Sequence, residues 1–272
     1  MGGIDKKKIR TAILLTPPII ALIAWAPPFV LCLMVFVAIF LGLREFYDLT
    51  LTRAKGIERF IVILSGLMCS FLVVYGKIGI LLPCFALLLL FLSVFFMVTS
   101  QELASSVSNM GIALLGIALV GFLPAHVVLI GNRPDGKSWV LFLLATVWAG
   151  DISAFSIGSL VGKHRLSPLI SPKKTVEGLF GAIAGSILVA LAFTLLFIPE
   201  FDKRITILFA IALATLGQVG DLTESMVKRS AQVKDSSSMI PGHGGILDRL
   251  DSFLFSSPFL YYSLLYLSRE RP

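Results

Sequence analysis

The chain has 272 residues, of which 57% are apolar and 14% charged, and its formal net charge is +7. A soluble globular chain carries about 25% charged residues, so this composition excludes a water-soluble enzyme, a disordered chain or a nucleic-acid-binding domain as a reading of the whole. What remains is a polytopic membrane protein, and the excess of 23 Lys and Arg over 16 Asp and Glu is read first as topology. Cys32, Cys69 and Cys84 lie in apolar segments without a CxxC spacing and read as small buried hydrophobes.

At the start, Lys6-Lys7-Lys8 and Arg10 before an apolar stretch imitate a secretory signal. Pro17-Pro18 interrupts that stretch, and Pro27 follows the cleavage-like Ala24-Trp25-Ala26. The sequence therefore predicts an uncleaved first membrane helix. A span needs about 20 mostly apolar residues to cross a hydrocarbon core about 30 Å thick. About nine segments qualify, roughly 10–26, 28–44, 60–76, 78–98, 109–131, 138–162, 176–198, 204–227 and 250–268. With the N-terminus inside, the inside segments hold Lys6, Lys7, Lys8, Arg10, Arg44, Arg53, Lys55, Arg59, Lys163, Arg165, Lys173, Lys174, Lys228, Arg229, Lys234 and Arg249. The outside segments hold Lys77, Arg133, Lys137, Lys203, Arg204, Arg269 and Arg271. The asymmetry predicts an all-α, multi-pass protein with a cytoplasmic N-terminus and a C-terminus outside, set in an inner or plasma membrane.

The loops are too short for a soluble domain, so any chemistry belongs to helices and to the inside loops 163–175 and 228–249. Residues 1–100 carry few polar groups in their spans and read as lipid-facing or dimer scaffold; residues 101–272 read as the catalytic region. A carboxylate at the centre of a membrane helix costs about 2.5–3.5 kcal/mol on insertion scales. Nevertheless Asp151 interrupts the sixth span, Asp221 and Glu224 lie late in the eighth, and Asp248 and Asp251 open the ninth. On a helix Asp221, Glu224, Ser225 and Lys228 share one face, as do Asp248 and Asp251. Asp221 and Asp248 are both expected near the cytoplasmic side, where clustered oxygens suit Mg²⁺. Helix-end carboxylates that cap or pair with Lys228, Arg229 or Arg249 are the plainer alternative. For Asp151 that pairing competes directly with catalysis.

Two loops offer anion-binding chemistry. Ser171-Pro172-Lys173-Lys174-Thr175 precedes a helix start, where cations, hydroxyls and free N–H groups meet, although an ordinary positive-inside flank looks the same. Lys228-Arg229, Lys234-Asp235 and Gly242-His243-Gly244-Gly245, followed by Asp248-Arg249-Leu250-Asp251, form a denser set. There the glycines permit close backbone approach, and His243 is a candidate hydrogen-bond donor to phosphate or a proton carrier. Gly158/Gly162 and Gly181/Gly185 have the small-xxx-small spacing of close helix packing and lend weak support to a dimer.

The run from Ser225-Met226-Val227-Lys228-Arg229 through Lys234-Asp235 to Ile240-Pro241-Gly242-His243-Gly244-Gly245-Ile246-Leu247-Asp248-Arg249-Leu250-Asp251 resembles the signature of the phosphatidate cytidylyltransferases, the CDP-diacylglycerol synthases. Gly220-Asp221 and the stretch from Gly162-Lys163-His164 to Thr175 resemble the same family, so the likeness covers roughly residues 145–260. Phe155 departs from it, since members often carry Tyr there. The resemblance implies a nucleotidyltransferase of phospholipid biosynthesis, usually dimeric, in which CTP and phosphatidic acid give CDP-diacylglycerol and pyrophosphate with Mg²⁺; the number of carboxylates leaves room for a second cation such as K⁺. Its expected catalytic residues are Asp221, Asp248, Lys228, Arg229, His243 and Asp251, with Asp221 and Asp248 holding the metal. Ser171, Lys173, Lys174, Thr175, Lys234, Asp235, Gly244, Gly245 and Arg249 would bind substrate. A CTP-dependent polyprenol or dolichol kinase, which releases CDP, is the nearest alternative; an ion-coupled transporter is a remote one.

Overall fold

The computed structural model describes residues 6–52, 56–76, 78–99, 103–239 and 244–269, and it is helical almost throughout. Helix α1 (Lys6–Trp25) passes through Pro17 and Pro18 and meets α2 (Pro28–Thr50) at Pro27. Pro27 is extended, and Pro28 occupies the first turn of α2, where a missing N–H breaks no helical bond. Helices α3 (Gly56–Tyr75) and α4 (Ile78–Thr99) follow. Helix α5 (Leu103–Gly116) widens into a π-helical turn (Ile117–Phe122) and leads to α6 (His126–Gly131). Then come α7 (Gly136–Val161), an antiparallel hairpin of β1 (Arg165–Ser167) and β2 (Ser171–Thr175), α8 (Val176–Phe197) and α9 (Lys203–Ser230). A short α10 (Leu247–Leu250) and a 3₁₀ turn (Asp251–Phe253) lead into α11 (Ser256–Arg269).

Seven helical segments among the described residues are long and apolar enough to cross a membrane, with Ser105–Gly131 counted as one. The chain is an α-helical, polytopic membrane protein. Of the nine expected spans, seven have a counterpart among these segments. Among the described residues Thr16–Trp25 of α1 is a shorter apolar helix, and α11 has 14 residues. The hairpin β1–β2 was not expected from the sequence.

Two apolar clusters form the core. One joins α1, α7, α8, α9 and α11 through Ile23, Phe142, Ala190, Leu213 and Leu260. The other joins α2, α3, α5 and the π-helical turn through Leu43, Phe46, Val62, Ala113 and Val120, and it also takes in Val227 and Leu247 from the C-terminal region. The expected boundary near residue 100 is therefore crossed by shared packing. At one end of the bundle, Lys137 Nζ donates to Ala24 O at the end of α1 at 3.3 Å, and Arg133 Nη2 to Leu264 O within α11 at 3.2 Å. The ends of α2, α7 and α9 and the start of α8 gather at the opposite end with the hairpin and α10.

Apolar burial does little to hold helices together in lipid; close packing and interhelical hydrogen bonds do. The α7–α8 pair illustrates this. A Cβ on Gly181 would stand 2.8 Å from Ile157 Cβ, one on Gly178 would stand 2.9 Å from Ala154 O, and one on Gly185 would collide with Ser153. Across the same seam the buried Ser186 hydroxyl donates to Thr146 O at 2.8 Å. Gly158 likewise faces Thr175 and Gly178. The small-residue spacing is taken up inside the chain, so it lends no support to a dimer. Gly185→Val is expected to destabilise the fold by about 1–3 kcal/mol, read as a lower unfolding midpoint in micelles. Gly111→Ala, whose new Cβ meets nothing within 4 Å, is expected not to lower it.

Candidate active site

Helix α9 builds the site because two of its glycines admit another backbone. A Cβ on Gly217 would touch Ser252, and one on Gly220 would collide with Asp251 O. With hydrogen in place of Cβ, the 3₁₀ turn lies directly against α9. Asp251 then comes beside the α9 face that carries Asp221, Glu224, Ser225 and Lys228. That face is the one expected from the i, i+3, i+4, i+7 spacing: Ser225 Oγ donates to Asp221 Oδ1 at 3.2 Å, and Lys228 pairs with Glu224 one turn away.

Three carboxylates converge. Asp221, Glu224 and Asp251 each offer an oxygen, and the three oxygens lie within 4.8 Å of one another. Glu224 is 2% exposed, and its Oε1 accepts no hydrogen bond among the described residues. Three hard oxygens, one of them buried without a donor, fit a small divalent cation such as Mg²⁺. Asp151 adjoins the cluster. It accepts from Gln218 Nε2 at 3.2 Å and from Ser252 Oγ at 3.1 Å, and lies within electrostatic reach of Asp221, Lys174 and Arg249. Its hydrogen-bond donors are an amide and a hydroxyl, with basic groups in electrostatic reach beside them. Lys174 Nζ stands 2.7 Å from Asp221 Oδ2.

Asp248, paired with Asp221 as a metal ligand in the sequence reading, is not among the three converging groups. Its Oδ1 is 2.5 Å from Lys228 Nζ, and its Oδ2 accepts from Ser236 N, Ser236 Oγ and Gly245 N at 2.9, 2.8 and 2.7 Å. Burial pushes the Asp248 carboxyl up, but the Lys228 ammonium and these N–H donors outweigh it and hold the group below its ordinary value. Gly244 reaches φ +79°, a conformation that favours glycine, and a Cβ there would press on Asp248 Oδ2. Gly244 and Gly245 therefore shape the loop around Asp248.

Strand alternation in β2 separates the two lysines of the first loop. Lys174 is turned in towards Asp221, and Lys173 is exposed beside a half-buried Ser171. Thr175 caps α8, its Oγ1 accepting from Gly178 N at 3.1 Å, and it is buried against Gly158. Arg229 donates to Ile170 O at 3.3 Å and Val233 O at 3.0 Å, strapping the hairpin to the end of α9. Arg249 is exposed on α10 within reach of Asp151. Lys234 and Asp235 are exposed and form no hydrogen bond with the cluster among the described residues. His243 lies outside the described residues.

Four participants escape a reading of the sequence: Glu45, Gln218, Ser236 and Ser252. Glu45 is buried on α2 and accepts from Ser236, Ser237, Ile246 and Leu247. Its one sequence signal is an acid placed late in an apolar span. Lys228, with a side chain 10% exposed, is the counter-charge for both Glu224 and Asp248. Replacing one partner of a buried pair costs about 3–5 kcal/mol because the other is left uncompensated. Lys228→Met is expected to lose that much stability, measured as a fall in the denaturation midpoint of the detergent-solubilised protein.

The chain is also similar to known proteins. Residues 6–267 match the cytidylyltransferase family. A Staphylococcus epidermidis protein named phosphatidate cytidylyltransferase is 43% identical over 156 residues, which are 57% of this chain and 57% of that protein. One of the same name from Staphylococcus aureus is 40% identical over 158 residues, again 57% of each chain. Another of that name, from Synechocystis sp., is 34% identical over 260 residues, 84% of this chain and 86% of its own length. The staphylococcal matches thus span less than two thirds of those relatives, and the cyanobacterial one spans most of its length. With the family matched from α1 to α11, the chain belongs to the cytidylyltransferase family.

Proposed function

We propose that this protein is a phosphatidate cytidylyltransferase, which joins CTP and phosphatidic acid into CDP-diacylglycerol and releases pyrophosphate. The observation that carries the reading is the convergence of Asp221, Glu224 and Asp251, flanked by the ammonium groups of Lys174 and Lys228. A phosphate oxygen of the lipid forms a bond to the α-phosphorus of CTP, and the bond from that phosphorus to the bridging oxygen of the β-phosphate breaks. The electron pair leaves with pyrophosphate. The nucleophile is already anionic, so the protein has to align two polyanions and offset their charge.

Asp221, Glu224 and Asp251 would hold Mg²⁺, with Asp151 beside them where a second cation such as K⁺ is expected. When bound, the metal supplies charge neutralisation to phosphate oxygens. Lys174 and Lys228 stand next to the carboxylates and would orient phosphate groups from the protein side. Lys173 and Arg249, both exposed, lie on the hairpin and on α10, where an incoming triphosphate meets them. Asp248 acts through Lys228 and through the loop it hydrogen-bonds. Arg229 and Thr175 act on the scaffold, as strap and helix cap.

The same reading sets the protein in an inner or plasma membrane with the site on the cytoplasmic face. The sequence's distribution of Lys and Arg supports this orientation, as does the gathering of its inside loops at one end of the bundle. Nine crossings, with α1 and α11 inserted as the first and last, follow from that orientation, as do an internal N-terminus and an external C-terminus. A homodimer is part of the proposal on family resemblance alone.

Purified protein in mixed micelles with phosphatidic acid, CTP and Mg²⁺ is expected to yield CDP-diacylglycerol and pyrophosphate in equal amounts and to stop with EDTA. CDP released only when a polyprenol is supplied would assign a lipid kinase instead. Asp221→Asn and Asp251→Asn are each expected to lower Mg²⁺-dependent turnover by about a hundredfold or more. Parental turnover in both would remove the metal assignment.

A further inference from the structure

Helix α2 belongs to the region that the sequence marks as scaffold, yet its one buried acid accepts, among the described residues, only from the C-terminal loop. Glu45 is 4% exposed. Its Oε1 accepts from Ser237 Oγ at 2.7 Å and Ile246 N at 3.1 Å; its Oε2 accepts from Ser236 Oγ at 2.8 Å and Leu247 N at 2.8 Å. A carboxylate has about four acceptor sites, so these donors use its capacity. Two come from the strand of chain before residues 238–245 and two from the chain after them. The later two are the N–H groups at the start of α10, which have no partner within the helix.

Neighbouring packing depends on the same arrangement. A Cβ on Gly245 would collide with the Glu45 carboxylate and the Ser236 hydroxyl. A Cβ on Gly42, one turn before Glu45, would stand 3.3 Å from Leu250 Cδ1 and 3.0 Å from Val120 Cγ1, so α2 and α10 meet without a gap. The Ser236 hydroxyl lies 2.8 Å from Glu45 Oε2 and also 2.8 Å from Asp248 Oδ2. With its single proton it donates to one of the two carboxylates at a time and so links them, and Asp248 in turn holds Lys228.

We infer that Glu45 is a positioning residue for the transferase site: it ties α2 to both stems of the 236–247 loop and thereby sets where Asp248 and the Lys228 ammonium stand. The inference rests on the cytidylyltransferase reading for its catalytic part, and its structural part has a readout of its own. In Glu45→Gln the amide nitrogen replaces one acceptor and confronts N–H and O–H donors with a donor.

The test compares parent, E45Q, S236A and the double variant in micelles, by backbone amide exchange over residues 244–250 and by steady-state kinetics with CTP, phosphatidic acid and Mg²⁺. E45Q is expected to exchange faster at Ile246 and Leu247. Its kcat is expected to fall by about ten- to a hundredfold, since a hydrogen bond to a charged group is lost, with a smaller change in KM for CTP. Because both residues act through one hydroxyl bridge, the double variant should be no slower than the slower single one. Parental exchange in E45Q, parental kcat despite faster exchange, or strictly additive losses would each overturn the inference. If E45Q does not fold, S237A removes one donor and leaves three. Faster exchange with about two- to fivefold lower kcat then supports the inference, and parental behaviour rejects it. A folded parent that makes neither product would refute the transferase reading, and the exchange data would still decide whether Glu45 holds the loop.

Discussion

A charge carried into the end of an apolar helix bundle must meet an opposite charge or a set of donors there. Lys228 is where this constraint is tightest. Its ammonium lies between Glu224 on its own helix and Asp248 on α10, so it closes α9 onto the loop and offsets two acids. The remaining acids are met in other ways: Asp221 by Lys174 and Ser225, Asp151 by Gln218 and Ser252, Glu45 by two hydroxyls and two N–H groups. Each of these partners comes from a helix face, a hairpin or a loop stem that has to stand where it does. The polar network thus dictates how the ends of α2, α7, α9 and α10 are assembled.

Backbone proximity is the second requirement, and glycine provides it. Carboxylates on short side chains converge only if the main chains that bear them nearly touch. Gly217 and Gly220 bring the Asp251 turn onto α9, and Gly178, Gly181 and Gly185 bring α8 onto α7. The α7–α8 seam fixes the hairpin between them, and with it Lys174 opposite Asp221. Packing deep in the bundle and charge geometry at its end are therefore one problem, solved with the same residue type.

The legible parts of this site are the local ones. The polar face of α9 follows from 3.6 residues per turn, and the glycine spacing of α7 and α8 follows from close packing, so both are visible in a few turns of sequence. Most membrane segments are visible for a similar reason, because apolar length alone marks them. What sequence does not expose is pairing over long separation. Asp221 and Asp248 look equivalent as acids near one membrane face. Only the fold distinguishes an oxygen turned towards Glu224 and Asp251 from one enclosed by Ser236, Gly245 and Lys228. Glu45 lies some two hundred positions from its partners, in a span whose composition reads as lipid-facing. Lys173 and Lys174 look alike in a basic loop until a β-strand sends them to opposite sides.

The position of the cluster also bears on how an amphiphilic substrate would be handled. Beside Asp151 on α7, Ile152 and Phe155 are 68% and 75% exposed; Phe180 on α8 and Met226 on α9 are 67% and 49% exposed. In a membrane such side chains face acyl chains rather than water. A carboxylate cluster at the end of the same helices therefore sits at the boundary between polar and apolar surroundings. Under the proposed function, a lipid whose tails remain in the leaflet would present its phosphate there without leaving the bilayer, and a nucleotide would enter from the loop side, where Lys173 and Arg249 are exposed. On this view the departure at Phe155 is physically consistent: a residue so exposed to lipid gains nothing from a phenolic hydroxyl unless a polar partner reaches it. Of the cations at this end of the bundle, Lys174 on β2 and Lys228 on α9 are turned to the acids, while Lys173 and Arg249 are exposed.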